Sequence, residues 1–357
     1  MKSNAIVLTG GYLHTNHAKT AHGLIRGSDR FRTRAIIDSV SAGRDAGEVV
    51  EGKPCGIPVF ASLQDYFSQG NVDARYCIIG VATKGGVIPA ELRQELREAL
   101  LGGLGLVNGL HEYISDIDDL ADLAREKGLE IIDVRKPKKV RDLHFWTGEI
   151  AEVKSPRIAV LGTDCALGKR TTARILTELM KQSGYSAEMI YTGQTGWMQG
   201  AEYGFIFDST LNDFVSGELE HAVVRCYRER NPDIMFLEGQ SSLTNPSGPA
   251  GAEWIVSAAA DGVILQHDPT RKKYKGCETH PAQIPPLKDV ITMIALYGAQ
   301  VLAITVNTSG LSEAEARQWC VRASEELGIP AVLPLDDSVM TLVPVLEKLI
   351  VHSKNVT

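Results

Sequence analysis

The segment "RIAVLGTDCALGKRTTARILTELM", residues 157–180, decides the fold class of the second half of the chain. Its apolar run 157–162 predicts a buried strand. The strand leads into a loop bounded by Gly162 and Gly168. Apolar side chains then recur at helical spacing as far as Gly184, which predicts an amphipathic helix. Strand, glycine-bounded loop and helix together are typical of a parallel α/β sheet.

The loop has the features of a phosphate-binding turn. Backbone N–H groups between a strand and a helix form an anion nest, and the helix N-terminus adds partial positive charge. Lys169 supplies a full positive charge. The residues predicted to bind a phosphate-containing cofactor are Gly162, Thr163, Asp164, Gly168, Lys169, Arg170, Thr171 and Thr172.

The loop departs from the usual nucleotide-binding pattern GxxxxGK[ST] in two ways. Five residues, not four, separate Gly162 from Gly168, and Arg170 stands where a Ser or Thr normally binds magnesium. Thr171 or Thr172 could supply the missing magnesium ligand if the chain shifted by a residue, so ATP with magnesium stays an alternative ligand. Arg170 favours a phosphate that is gripped without metal and is not transferred, such as the diphosphate of coenzyme A.

Short apolar runs alternate with helical patterns along the whole chain, which predicts parallel sheets covered by helices on both faces. A proline-containing stretch of mixed charge, 136–156, interrupts this rhythm. We therefore predict two domains, 1–150 and 151–357, the second a doubly wound α/β domain. The predicted strands are 5–8, 34–38, 57–61, 76–81, 130–134, 157–162, 187–193, 233–239, 262–268, 300–307 and 331–335. The predicted helices are 89–103, 116–128, 171–184 and 312–328.

Composition narrows the function classes. A net charge of −7 argues against a general nucleic-acid binder, although "RKPKKVR", 135–141, is either a solvated linker or a patch for acidic groups. No apolar run reaches the length of a membrane span, and six scattered cysteines form no CxxC pair.

His14, His17 and His22 lie close together in the sequence, but no cysteine or acidic residue completes a set of zinc ligands with them. We expect a cytoplasmic protein with no metal site.

Two candidate catalytic residues follow predicted strands. Glu238, in "IMFLEGQSSLTNPSG", is placed to take a proton from an attacking amine, or to hold magnesium in a nucleotide hydrolase. His267, in "LQHDPTRKKYKGCETHP", is a second possible base within a loop of cations suited to phosphate or carboxylate. An exposed acid and a solvated basic loop are the alternatives. Gln194 and Thr195 end another strand and suggest ligand contacts.

These motifs carry a resemblance to a known family. With the N-terminal "GVATKGGVIPAELRQELREAL", the segments "VLGTDCALGKRTT", "YTGQTGWMQG", "FLEGQSSLTNP" and "QHDPTRKKYKGCETHP" resemble the D-glutamate N-acetyltransferase family. The "GTD…GK" loop by itself resembles dethiobiotin synthetase. The resemblance implies a Rossmann-like N-terminal domain and a P-loop NTPase-like C-terminal domain. It also implies acetyl transfer from acetyl-CoA to the amino group of a D-amino acid, chiefly D-glutamate.

The sequence therefore supports one main hypothesis and two alternatives. In the main hypothesis an acetyltransferase binds coenzyme A phosphates with the loop 162–172, and Glu238 or His267 removes the proton of the amino group. We expect a small amino-acid substrate, no nucleic-acid or membrane partner, and a homo-oligomer. The alternatives are a ligase or kinase that uses ATP and magnesium, and a non-catalytic protein that binds a nucleotide or coenzyme A.

Overall fold

Two compact α/β units make up the chain. The computed structural model describes residues 2–70 and 73–355. The first unit contains Met1–Pro137 and Gln194–Ala201, and the second contains Lys138–Gly193 and Glu202–Thr357. We call them unit 1 and unit 2.

The six strands described in unit 1 form one parallel sheet in the order β3-β2-β1-β4-β5-β6. This is the strand order of a Rossmann fold, so the expected fold of the N-terminal part is confirmed. The strands are β1 (Ser3–Leu8), β2 (Phe31–Ile37), β3 (Val59–Phe60), β4 (Tyr76–Ile79), β5 (Gly105–Asn108) and β6 (Ile131–Asp133). The helices are α1 (Lys19–Arg26), α2 (Ala46–Glu51), α3 (Leu63–Phe67), α4 (Ala90–Leu101) and α5 (Asp118–Glu126).

The seven strands described in unit 2 also form a parallel sheet, in the order β13-β12-β11-β7-β10-β8-β9. The doubly wound α/β fold predicted for the C-terminal part is confirmed. The strands are β7 (Arg157–Gly162), β8 (Ala187–Tyr191), β9 (Tyr203–Gly204), β10 (Ile234–Glu238), β11 (Gly262–His267), β12 (Val301–Val306) and β13 (Ala331–Val332). The helices from here on are α6 (Lys169–Gln182), α7 (Gln194–Met198, in unit 1), α8 (Asn212–Arg230), α9 (Ala252–Val256), α10 (Leu287–Leu296), α11 (Glu313–Leu327) and α12 (Val343–Asn355).

The central strands of unit 2 are buried on both faces, which explains their continuous apolar sequences. All five residues of β10 are buried, and five of the six in β7 are buried. The helix α6 packs against β7, β8 and β10. This packing fixes the start of α6 at the carboxyl edge of the sheet, where residues 162–172, which we call the phosphate loop, lie.

The ends of two helices follow their sequence signals. The Ser312 hydroxyl accepts a hydrogen bond from the backbone N–H of Glu315, and the Glu315 carboxylate accepts one from the backbone N–H of Ser312. This is the capping box that the sequence predicts. Gly328 ends α11 with φ 66°, and Gly168 precedes α6 with φ 104°. Both values lie in the left-handed region, where a glycine avoids the steric cost of a Cβ.

The division into units differs from the boundary expected near residue 150. The segment Lys138–Val153 belongs to unit 2, because two buried carboxylates of α8 hold it. Glu218 accepts hydrogen bonds from Lys138 and His144, and Glu220 accepts them from Thr147 and Ile150. Such contacts join residues 70 or more positions apart, so local sequence patterns carry no sign of them.

A second difference concerns the segment "QTGWMQGA", 194–201, which lies within the predicted C-terminal domain but belongs to unit 1. Its backbone carbonyls at Met198 and Gln199 accept hydrogen bonds from Ser28 and from the N–H of Asp29. The guanidinium of Arg30 lies 4.1 Å from the ring centroid of Trp197.

The short strands β5 and β9 were also not predicted. In the described part of the chain, no helix combines the length and apolar composition that a membrane span needs.

Candidate functional site

The candidate site is the loop between β7 and α6, at the carboxyl end of the central strand of unit 2. Ligands of open α/β sheets bind at this edge. A Cβ on Gly162 would lie 3.1 Å from Cδ of Lys169 and 3.3 Å from the carbonyl oxygens of Asp164 and Gln266. Glycine at this position therefore makes room for the lysine side chain. Ala166 adopts a left-handed φ of 54°, a strained conformation often found at ligand-binding turns.

Lys169 is the central cation of the loop. Its side chain is buried, with 6% of the residue exposed. The Nζ atom donates hydrogen bonds to the carbonyl oxygens of Asp164 and Ser241, both at 2.7 Å. Burial lowers the pKa of Lys169 to about 8, although the nearby Cys165, Asp164 and Glu238 oppose this change. A bound anion would stabilise the charged form and favour a fully protonated ammonium.

Asp164 is a completely buried carboxylate that holds three segments together. Its Oδ1 accepts hydrogen bonds from the N–H of Cys165 at 2.7 Å and from Nδ2 of Asn245 at 3.0 Å. Its Oδ2 accepts from Nη1 of Arg271 at 3.0 Å and from the N–H of Lys275 at 2.9 Å. In the structure Asp164 braces the phosphate loop from within, and its contact with a cofactor stays a prediction.

Replacing Asp164 with alanine is expected to cost about 3 kcal/mol of unfolding free energy, because it leaves the buried amide of Asn245 without this acceptor and removes the ion-pair partner of the half-buried Arg271. Urea denaturation measures this change. Asp164→Asn keeps the shape and one oxygen acceptor, so its loss is expected to be smaller. Equal stability of the alanine variant and the parent protein would show that the carboxylate does not brace the loop.

Glu238 ends β10 and places a buried carboxylate beside the loop, with 5% of the residue exposed. Its Oε2 accepts the N–H of Thr192 at 3.0 Å. The carbonyl oxygen of Glu238 accepts the Thr192 hydroxyl at 2.6 Å and Nε1 of the buried Trp254 at 2.9 Å. Burial raises the pKa of Glu238, while the charge of Arg170 and the N–H groups of Thr192 and Gly193 act in the opposite direction. The predicted base is thus held by hydrogen bonds from two neighbouring segments.

The hydroxyl of Thr172 contacts the sheet. It donates to Oε1 of Gln266 at 2.6 Å, and the Thr305 hydroxyl donates to the same oxygen at 2.7 Å. Thr172 is 1% exposed. Thr171, one position earlier, is partly exposed. Thr172 was predicted as a cofactor contact, and the structure gives its hydroxyl a partner inside the protein.

His267 ends β11 on the other side of β7. Its Nδ1 lies 3.0 Å from the Thr163 hydroxyl, and its ring centroid lies 5.5 Å from that of Trp319. Burial lowers the pKa of His267 to about 4, despite the neighbouring charge of Asp268. The imidazole is therefore neutral near pH 7 and is a weak base.

The structure thus brings the predicted loop, Glu238 and His267 to neighbouring strand ends of unit 2. By contrast, Gln194 and Thr195 lie in α7 of unit 1, where the Thr195 hydroxyl is 3.2 Å from that of Thr20. The sequence analysis missed Asn245 and Gln266. A polar Gln266 inside an otherwise apolar strand was a usable signal, whereas nothing in the sequence pairs Asn245 with Asp164.

No group of three or more His, Cys, Asp and Glu side chains is placed to hold a metal ion, as far as the described residues show. His22, one of the three clustered histidines, instead has Nε2 2.7 Å from the carbonyl oxygen of Leu13.

Comparisons with known proteins agree with this architecture. Residues 144–343 match the family described as the C-terminal P-loop domain of unknown function DUF1611, and residues 39–137 match its N-terminal Rossmann-like domain. The chain belongs to the DUF1611 family. A DUF1611 crystal structure from Anabaena variabilis ATCC 29413 has a TM-score of 0.86 and 29% identity, covering 98% of this chain and all of that one.

Two curated relatives of this chain carry a functional name. A D-glutamate N-acetyltransferase from a Pseudoalteromonas species is 29% identical over 277 residues, which is 76% of this chain and 80% of that protein. A D-glutamate N-acetyltransferase from Tritonibacter scottomollicae is 31% identical over 268 residues, covering 73% and 78%. The resemblance predicted from the motifs is confirmed at the level of the family.

Proposed function

We propose that this protein is an acetyltransferase that moves the acetyl group of acetyl-CoA to the amino group of a D-amino acid, with D-glutamate as the first candidate. The names of the two curated relatives support the reaction class. The phosphate loop of unit 2 supports the donor, because coenzyme A presents a diphosphate that such a loop can bind.

The proposal rests mainly on the side chains of residues 169–172, which follow Gly168. Arg170 occupies the position of the usual magnesium-binding hydroxyl, and the hydroxyl of Thr172 donates to Gln266. The loop would therefore bind an anion through its backbone N–H groups and through the positive charges of Lys169 and Arg170. This chemistry suits a diphosphate that stays intact, and it disfavours transfer of a phosphoryl group with magnesium.

Glu238 is the proposed general base. The ammonium group of the amino acid must lose a proton before its nitrogen can attack the thioester carbonyl. A C–N bond then forms and the C–S bond breaks. The nitrogen loses a second proton, and coenzyme A leaves as a thiolate that takes up this proton. A carboxylate with a raised pKa is a stronger base than an ordinary one, so Glu238 suits this step better than His267, whose pKa is about 4.

Affinity for acetyl-CoA is expected to depend on pH through Lys169. The protonated ammonium binds phosphate, and its pKa in the free protein is about 8. The association constant for acetyl-CoA should be high and independent of pH below about pH 8. It should fall as the pH rises above this value, by up to tenfold per pH unit. Calorimetric titrations between about pH 7 and pH 9.5 measure this trend. Lys169→Met should abolish it, and a level affinity in the parent protein would contradict the assignment.

A direct assay tests the proposed reaction. The purified protein is incubated with acetyl-CoA and D-glutamate in the presence of EDTA, and mass spectrometry and a thiol reagent detect N-acetyl-D-glutamate and free coenzyme A. L-Glutamate is the control substrate. Product formation without metal supports the proposal. Magnesium-dependent formation of ADP with no release of coenzyme A would favour the ligase or kinase, and binding without turnover would favour a non-catalytic protein.

A further inference from the structure

The segment Asp268–Lys275 after β11, which we call the tethered loop, is fastened to the phosphate loop at two points. Nη1 of Arg271 donates to Oδ2 of Asp164 at 3.0 Å, and the N–H of Lys275 donates to the same oxygen at 2.9 Å. Because Asp164 is fully buried, these bonds are shielded from competing water. Lys272 lies between the two points, so its backbone is fixed beside the phosphate loop.

The neighbouring cations of the tethered loop are engaged within the protein. Arg271 pairs with Asp164, and Nζ of Lys273 donates to two backbone carbonyls, at 2.8 and 3.3 Å. The backbone N–H groups of Gly276 and Glu278 lower the pKa of the Glu278 carboxyl group, and the charge of Lys275 adds to this effect. Lys272 differs from Arg271 and Lys273, because its side chain has no hydrogen bond or ion pair with any residue within 2–70 or 73–355. It also differs from Lys275 in exposure, because Lys272 is exposed and Lys275 is only partly exposed.

Coenzyme A carries two separate anionic groups. Its diphosphate suits the N–H groups and Lys169 of the phosphate loop, and its ribose bears a 3′-phosphate that needs another cation a short distance away. A lysine ammonium binds such a group as a compact point charge. The tethered loop carries Lys272 next to the phosphate loop but outside it.

We propose that Lys272 binds the 3′-phosphate of acetyl-CoA and thereby distinguishes this donor from ligands that lack that group, such as ATP. This inference rests on the proposed use of acetyl-CoA. It assigns to Lys272 a role in donor specificity and none in the chemical step.

Calorimetric titration of the full chain with acetyl-CoA and with acetyl-3′-dephospho-CoA tests the proposal. The parent protein is expected to bind acetyl-CoA about tenfold more tightly than the dephospho form, as one charge-assisted hydrogen bond gives. In Lys272→Ala this preference should disappear, through weaker binding of acetyl-CoA alone. Lys272→Arg should restore most of it.

Lys288→Ala is the matched control, since Lys288 is exposed and pairs with Glu326 on another part of unit 2. It should keep the preference for acetyl-CoA. The KM for D-glutamate should be the same in Lys272→Ala as in the parent protein.

Three results would overturn the proposal while acetyl-CoA remains the donor. These are equal affinity of the parent protein for the two forms, a preference that persists in Lys272→Ala, and an equal loss of affinity for both forms in that variant. A persistent preference with a higher KM for D-glutamate would instead place a substrate carboxylate at Lys272. Failure of the parent protein to bind either form would refute the proposed function itself.

Discussion

Lys169→Ala is expected to raise the KM for acetyl-CoA about a hundredfold, because it removes the buried cation from the phosphate loop. In the parent protein the ammonium group would donate a charge-assisted hydrogen bond to the diphosphate. The carbonyl oxygens of Asp164 and Ser241 already hold this ammonium group in place. The turnover number at saturating acetyl-CoA should fall much less, because the diphosphate lies away from the reacting thioester. Steady-state kinetics with varied acetyl-CoA at fixed D-glutamate separates the two effects.

Lys181→Ala is the matched control for this variant. Lys181 lies in the last turn of the same helix, is exposed, and pairs with Glu178. Its removal should leave the KM for acetyl-CoA within a factor of about two, as is usual for an exposed ion pair. If both lysine variants kept the KM of the parent protein, the loop would not be part of the donor site.

Glu238→Gln is expected to lower the turnover number at least a hundredfold, which is the usual contribution of a general base. The amide keeps the size of the carboxylate and can still accept the N–H of Thr192 through its oxygen. The change should therefore leave the fold and the affinity for acetyl-CoA close to those of the parent protein. Single-turnover kinetics and calorimetric binding measure the two quantities separately.

His267→Asn is the comparison that distinguishes the two candidate bases. Because the imidazole is neutral near pH 7 and has a pKa of about 4, its loss should lower the turnover number only modestly. A large effect in His267→Asn together with normal turnover in Glu238→Gln would transfer the role of base to His267. A normal turnover number in both variants would mean that another group or water takes the proton.

Much of the fold was predictable, because local sequence patterns determine it. The strand predicted at 157–162 coincides with β7, since a continuous apolar run between polar residues suits a central parallel strand. The capping box of Ser312 and Glu315 starts α11 where the spacing predicts. The phosphate loop was recognisable for the same reason, because its glycines and Lys169 lie within a few positions of one another.

The bracing of the site was not predictable from the sequence. Asp164 contacts Asn245 across 81 positions and Lys275 across 111, and such side-chain partners depend on how the strands are ordered in the sheet. The placement of 194–201 in unit 1 has the same origin, since Gln199 donates to the carbonyl of Gly23 across 176 positions. The parts of the site that depend on spacing could be predicted, and the parts that depend on long-range hydrogen bonds could not.

The central claim is that the loop 162–172 binds coenzyme A phosphates without metal. Calorimetric titration of the purified protein with acetyl-CoA in EDTA, and separately with ATP and magnesium, tests it most directly. We predict that acetyl-CoA binds in EDTA and that Lys169→Ala weakens this binding strongly. Magnesium-dependent binding of ATP, with no response to acetyl-CoA, would contradict the claim and identify the loop as a metal-dependent nucleotide site.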